Sequence, residues 1–173
     1  MNGTRARYRK PGVLGDIDLA DGSVDLAVTF GVLHHIANVS HVLGEICRVL
    51  EPGGIYLLRE PICTMGDWRQ ARGALTRNER GLPPEWLREK LASLGFRVIR
   101  ERYCAFPGAQ LFSRAVGLGL NLNSRVVAAA DYLLCRGFQW NLYYHRDRHY
   151  KQVAPTSVFC VAEKGSGADT GER

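Results

Sequence analysis

The sequence predicts an α/β fold, a single domain built around a parallel β-sheet, on three grounds. Two continuous apolar runs, Val24–Phe30 and Ile55–Leu58, have the character of strands buried on both faces. Between them, Val42, Leu43, Ile46, Val49 and Leu50 recur at three- and four-residue steps, the period of an amphipathic helix. Strand, helix and strand in that order, separated by short connections, make a right-handed βαβ unit with a parallel pair.

The elements follow in chain order. Asp21-Gly22-Ser23 is a turn that introduces the first strand. Asn38 or Ser40 can cap the helix expected over 39–50, and Pro52-Gly53-Gly54 stops it before the second strand, 55–59. Residues 65–80 read as a polar, arginine-rich helix or lid. Pro83-Pro84-Glu85 then opens a helix carrying Trp86, Leu87, Lys90, Leu91 and Leu94 along one side, ended at Gly95. A third strand runs from Phe96 to Cys104. A helical insertion at about 105–155 follows, with a helix from Ser124 to Cys135 and an aromatic, basic stretch from Phe138 to Lys151. Ser157 to Ala162 forms the last strand. The domain therefore spans 1–164, and the Gly/Ser-rich tail 165–173 is expected to fray.

Composition sets the outer limits. The 173 residues are 46% hydrophobic, which suffices for one domain with a core and excludes a disordered chain. No apolar run approaches the ~18 residues of a membrane span, because Arg59, Arg114, Asp131 and Arg136 interrupt every candidate. Met1–Lys10 is basic with no apolar stretch behind it, so the reading is a soluble chain without a signal peptide. Five widely spaced cysteines (Cys47, Cys63, Cys104, Cys135, Cys160) with no CxxC pair suit reduced core thiols in a cytoplasmic protein. The net charge of +6 is uneven. Residues 11–60 hold Arg48 and Arg59 against seven acids, the wrong sign for a nucleic-acid groove. In residues 66–102, nine basic and five acidic side chains alternate along helix faces, which fits a solvated surface better than a phosphate track.

The run Asp21-Gly22-Ser23-Val24-Asp25-Leu26, then Val32-Leu33-His34-His35-Ile36, then Glu45 to Gly54, closing on Glu60-Pro61, carries more than fold class. In this order and spacing it resembles the middle of a class I S-adenosylmethionine-dependent methyltransferase of the small-molecule, ubiquinone-biosynthesis-like type. The match is close from about residue 15 to residue 61 and looser to residue 164. The resemblance implies a partial Rossmann-like methyltransferase sheet holding strands four to seven in the order 4-5-7-6, the last antiparallel, with flanking helices. It implies S-adenosyl-L-methionine as cofactor and a small-molecule substrate. The family's glycine-rich turn and ribose-binding acid belong to a region upstream of the one seen here. Gly117-Leu118-Gly119 does not replace that turn, since it follows no expected strand. On this reading the chain is a C-terminal portion that alone binds the cofactor poorly.

Site residues follow from the same resemblance. An acidic residue in the loop before strand four accepts a hydrogen bond from the adenine amine, and either Asp16 or Asp18 fills that place. Thr29, Phe30 and His34 would line the methionine end; a solvated carboxylate and a core phenylalanine are the plainer alternatives. His34 or His35 can act as general base toward an oxygen or nitrogen nucleophile, since imidazole titrates near neutral pH, while a histidine packed at a strand end is the structural alternative. Sets drawn from His34, His35 and His41, or from His145 and His149, lack the accompanying carboxylate signature of a metal site, so no metal is expected. Trp140, Tyr143, Tyr144, His145, Arg146 and Arg148 make the 138–150 stretch a core segment, a substrate flap or, less favourably, a base-stacking surface. Two functions stay open: methyl transfer by descent, and a degenerate, non-enzymatic module acting as an interaction partner. In either case the open edge of the 24–30 strand calls for cover by the N-terminal arm, another chain or self-association.

Overall fold

Four strands, β1 (Val24–Phe30), β2 (Leu50–Pro61), β3 (Phe96–Cys104) and β4 (Ser157–Lys164), pair into one sheet in the order β1-β2-β4-β3. The structure is a computed structural model that describes residues 6–65, 73, 75, 76, 78–108 and 125–166. β1 and β2 are parallel, and β4 runs antiparallel to both β2 and β3. This is the order 4-5-7-6 with an antiparallel last strand that the family resemblance implies. The helices are α1 (Val39–Val49), α2 (Pro84–Ser93), α3 (Arg125–Phe138) and the short α4 (His149–Gln152), with single 3₁₀ turns at Leu33–His35 and Gln139–Asn141.

The α1 stripe does what its period demands: Val39, Val42, Leu43, Ile46 and Val49 are buried. They meet Tyr56 and Leu58 of β2, Val158, Cys160 and Ala162 of β4, Phe96 of β3, and Leu87 and Leu91 of α2 in one core. Pro52-Gly53-Gly54 acts differently from its expected role as a stop. Val24 pairs with Leu50 but Leu26 with Ile55, so Glu51–Gly54 bulge out of β2 opposite Asp25, with Gly53 at φ +80° making the reversal.

Only one face of the sheet is covered by α1 and α2. The side chains of Leu26, Val28 and Phe30 point to the other face and are 48%, 49% and 53% exposed, so β1 is not buried on both faces as its apolar run suggests. That face carries Ile55 and Leu57 of β2, and Phe159 of β4, whose ring lies 6.1 Å from Phe30. α3 covers only its β3 side: Arg102 stacks on Tyr132, and Asp131 accepts the Ala105 and Phe106 amides. β1 pairs with β2 alone among the described residues.

The N-terminal arm lies along α1 and not along the β1 edge. The Asn38 side chain, at the cap position, donates to Leu14 O (2.7 Å) and makes no cap bond. Glu45 accepts the Ile17 amide and two Arg48 bonds, while Arg48 also reaches Ile17 O, Leu19 O and Asp21. Of the remaining expectations, the helix foreseen from Ser124 to Cys135 is described from Arg125 and runs on to Phe138, Ser124 lying outside the described residues. The lid expected over 65–80 lies mostly outside the described residues, and residues 73, 75, 76 and 78–80 are turn or irregular; most of the 165–173 tail also lies outside them. No described helix is long and apolar enough to cross a membrane.

The Glu45–Arg48 clamp has a pH signature. Arg48, then the Ile17 amide, hold the Glu45 carboxyl down from its ordinary 4.5 to about 2. A folded-state value below the unfolded one stabilises the fold in full above about pH 4.5, and that contribution is lost as pH falls toward 2. Glu45→Gln is therefore expected to lower the melting temperature at pH 7, with the gap to wild type closing between pH 4.5 and 2 in a series of thermal melts.

Candidate active site

β1 ends where Gly31 takes φ +66° and donates its amide to Arg59 O at 2.8 Å. That turn leads into the Leu33–His35 3₁₀ turn, whose first amides have no partner within it. Glu60, at the end of β2 and 0% exposed, supplies one. Its Oε1 accepts the Val32 (3.0 Å) and Leu33 (2.9 Å) amides; its Oε2 accepts the His34 amide (3.3 Å) and lies 2.8 Å from His34 Nδ1. A fully buried carboxylate is tolerable only when its acceptor sites are filled in this way. Because the carboxylate accepts from Nδ1–H, Nε2 of a neutral His34, on the side of the ring away from Glu60, carries the lone pair.

A second carboxylate approaches that atom. Glu79, also buried, sits with Oε1 4.0 Å from His34 Nε2 and Oε2 3.6 Å from His35 Nδ1. The Thr76 amide holds the Glu79 carboxyl below the usual range, with His35 and His34 adding to it. Backbone pairing fixes the segment: Arg80 N–H donates to His34 O (3.0 Å) and Leu82 N–H to Pro61 O (2.8 Å). Gly81 makes this approach possible, since a Cβ there would lie 2.1 Å from Cys63 O. Tyr144, from the aromatic stretch, donates to Gly81 O (2.9 Å) and its carbonyl accepts the Thr64 amide, so part of that stretch packs behind the site. The His34 and His35 rings lie 3.9 Å apart, His34 buried and His35 exposed.

The other residues foreseen from the sequence are dispersed. Asp16 pairs with His41 of α1 (2.8 Å) and Asp18 with Arg9 (2.9 Å), all four exposed, the two carboxylates on the loop held by Arg48. Thr29 faces the covered layer, its hydroxyl 2.7 Å from the Tyr56 hydroxyl, whereas Phe30 faces the open side. Burial pushes the Cys135 and Cys160 thiols up to about 12, which removes them as nucleophiles. A polar groove lined by Glu101, Arg102, Tyr132 and Arg136 lies at the far edge of the sheet, away from this cluster. The sequence points to His34 and His35 and quotes Glu60 only as the end of a motif. It gives no signal for Glu79 and Thr76, which lie in an arginine-rich stretch without periodicity.

The family model of the methyltransferase domain matches residues 3–58, from the N-terminal arm through β1 and α1 into β2. That stretch, 56 of the 173 residues, is similar to the S-adenosylmethionine-dependent methyltransferases. Among the chain's relatives, a human (Homo sapiens) thiol S-methyltransferase is 46% identical over 44 residues, 25% of this chain and 18% of that enzyme. A 24-methylenesterol C-methyltransferase of Oryza sativa subsp. japonica is 32% identical over 128 residues, 63% of this chain and 35% of that enzyme. Two solved structures share its fold: an S-adenosylmethionine-dependent methyltransferase of Mesorhizobium loti (TM-score 0.53, 15% identity, 90% of this chain and 68% of that one) and one of Archaeoglobus fulgidus (0.51, 14%, 84% and 62%). The chain spans between 15% and 35% of the curated relatives it matches.

Removing the buried carboxylate should collapse this arrangement. Glu60→Ala leaves the Val32, Leu33 and His34 donors unpaired, at about 1–3 kcal/mol for each left buried. A loss of at least about 3 kcal/mol is expected in urea denaturation.

Proposed function

We propose that this chain is part of a methyltransferase and supplies the acceptor side of a methyl-transfer site for a small-molecule substrate, with His34 as the general base. The observation that carries it is the Glu60–His34 pair. It stands at the carboxyl ends of two adjacent parallel strands, where open α/β sheets bind ligands, and leaves Nε2 of a neutral His34 with its lone pair on the side away from Glu60. S-adenosylmethionine, when bound, supplies an electrophilic methyl group on a sulfonium sulfur. The exposed carboxylates of Asp16 and Asp18 suit an amine such as that of adenine, and the half-exposed Phe30 ring, on the open face of the sheet, offers an apolar surface. The described residues thus fit part of the cofactor. Thr29, its hydroxyl paired with Tyr56, acts through that packing.

His34 would take the acceptor's proton at Nε2 while Glu60, bonded at Nδ1, stabilises the imidazolium that forms. Alignment of acceptor and methyl group contributes the larger part of such a rate, so the rigidity that Glu60 gives the turn matters as much as the proton. The five free cysteines suit a reducing, cytoplasmic setting. Labelled-methyl transfer to a panel of thiol, hydroxyl and amine acceptors tests the reading. His34→Ala is expected to lower kcat by about 10²–10⁴-fold, with cofactor affinity nearly unchanged; a variant with the full rate removes the base role. For the 173-residue chain by itself, titration calorimetry is expected to give a cofactor Kd weaker than about 100 μM, under about 5.5 kcal/mol of binding.

The second reading, an interaction module, is favoured by the unpaired β1 edge and by Leu26, Val28 and Phe30 beside it. The occupant proposed is a second copy: two β1 edges related by a two-fold axis pair antiparallel and continue both sheets, and an isologous contact needs only this chain's own strand. Light scattering at tens of micromolar is expected to report a dimer that Val28→Lys with Phe30→Lys converts to monomer; an unchanged monomeric mass for both proteins ends this reading.

A further inference from the structure

The His34–His35–Glu79 cluster is the one group among the described residues whose histidine and carboxylate atoms converge as metal ligands do, all within 4.8 Å of one another. We infer that His34 Nε2, His35 Nδ1 and the Glu79 carboxylate hold a zinc ion. Zinc takes imidazole nitrogen and carboxylate oxygen at roughly 2.0–2.2 Å, so neighbouring ligand atoms of a tetrahedral site stand about 3.3–3.5 Å apart. The separations of 4.0 Å (His34 to Glu79) and 3.6 Å (His35 to Glu79) are too long for hydrogen bonds. Shifts of well under 1 Å bring both to zinc geometry.

Three further features support the assignment. Glu60 accepts from His34 Nδ1, so the other ring nitrogen is left as the donor to a metal; a carboxylate behind a ligand histidine is the usual supporting arrangement of zinc sites. The Thr76 amide and hydroxyl hold Glu79 Oε2, and the same hydroxyl lies 3.3 Å from His35 Nδ1, a contact that the nitrogen exchanges for the ion when zinc binds. Two nitrogen ligands with one oxygen favour zinc over magnesium or calcium, which prefer all-oxygen sets. His34 and Glu79 are buried and His35 is 43% exposed at its side chain, so an ion would reach the site past His35. Three protein ligands leave a fourth position open on that side.

Neither periodicity nor spacing announces this site, because its carboxylate lies 44 residues beyond His35 and is brought there by the Gly81–Cys63 approach. Zinc binding needs no methyl donor, so it stands or falls apart from methyl transfer. The Nε2 lone pair serves one partner at a time. A loaded site takes it out of use as a base and offers an anionic oxygen or sulfur of an acceptor a place on the ion instead.

The test uses chelator-treated, dialysed full chain titrated with ZnCl₂ by calorimetry, with CoCl₂ as a visible-absorbance probe of coordination and MgCl₂ for selectivity. One zinc per chain and tetrahedral cobalt bands are expected, with magnesium failing to compete. Glu79→Gln and His35→Ala, each checked for an unchanged circular-dichroism spectrum, should each weaken zinc at least tenfold and abolish the cobalt bands. Glu60→Gln should weaken it about 10–100-fold through His34. Zinc bound with wild-type affinity by both Glu79→Gln and His35→Ala, or a thiolate charge-transfer band in the cobalt spectrum, would place the ion on cysteines and overturn the inference. A wild-type chain that takes up no zinc overturns it directly.

Discussion

The buried Glu60 carboxylate is the constraint on which the rest of the site depends. Burying a charge without partners is costly, so Glu60 is stable at the end of β2 only because four N–H groups surround it. Three are backbone amides at the start of the 3₁₀ turn after β1, and the fourth is His34 Nδ1. One side chain therefore ties the ends of two parallel strands together, satisfies a turn that would otherwise open on bare amides, and fixes which ring nitrogen of His34 faces Glu79. Since that nitrogen can meet a proton or a metal ion, the chemistry open to the site is already limited by a residue that touches neither.

The sheet that carries this anchor is asymmetric. α1 and α2 bury one face, and their packing with Tyr56, Leu58, Cys160 and Ala162 makes the core. The opposite face keeps Leu26, Val28 and Phe30 half-exposed beside an edge that pairs with no other described strand. The site lies where these two regions meet, at the carboxyl ends of β1 and β2. The Glu45–Arg48 clamp holds the loop of Asp16 and Asp18 against the same α1 helix. The loop of Asp16 and Asp18 and the Glu60–His34 pair are thus both anchored to one short βαβ unit.

Much of the fold is legible in the sequence because its signals are local. The period of α1, the apolar runs of β1 and β2, and the Pro-Pro-Glu start of α2 each follow from neighbours within a few residues, and β3 matches its expected bounds of Phe96–Cys104. Where the local signal misleads, a tertiary neighbour decides. Asn38 stands at the cap position, but Leu14 O competes for its side chain. Pro52-Gly53-Gly54 looks like a stop and becomes a bulge, because β1 pairs with Leu50 before it and Ile55 after it. An apolar run cannot say whether both of its faces will find cover, so β1 reads as buried while one face stays open.

By itself the sequence determined the order of elements, the methyltransferase resemblance between Asp21 and Pro61, and the two histidines as the candidates for chemistry. The tertiary structure alone decided that Glu60 binds one of them, that Glu79 arrives from the segment before α2, and that Thr29 and Phe30 part to opposite faces of the sheet. The reason is physical. Helical and strand periods are set by bonded geometry that repeats along the chain, whereas a buried carboxylate and the ring it orients meet across 26 residues through burial and hydrogen-bond satisfaction, which leave no periodic trace.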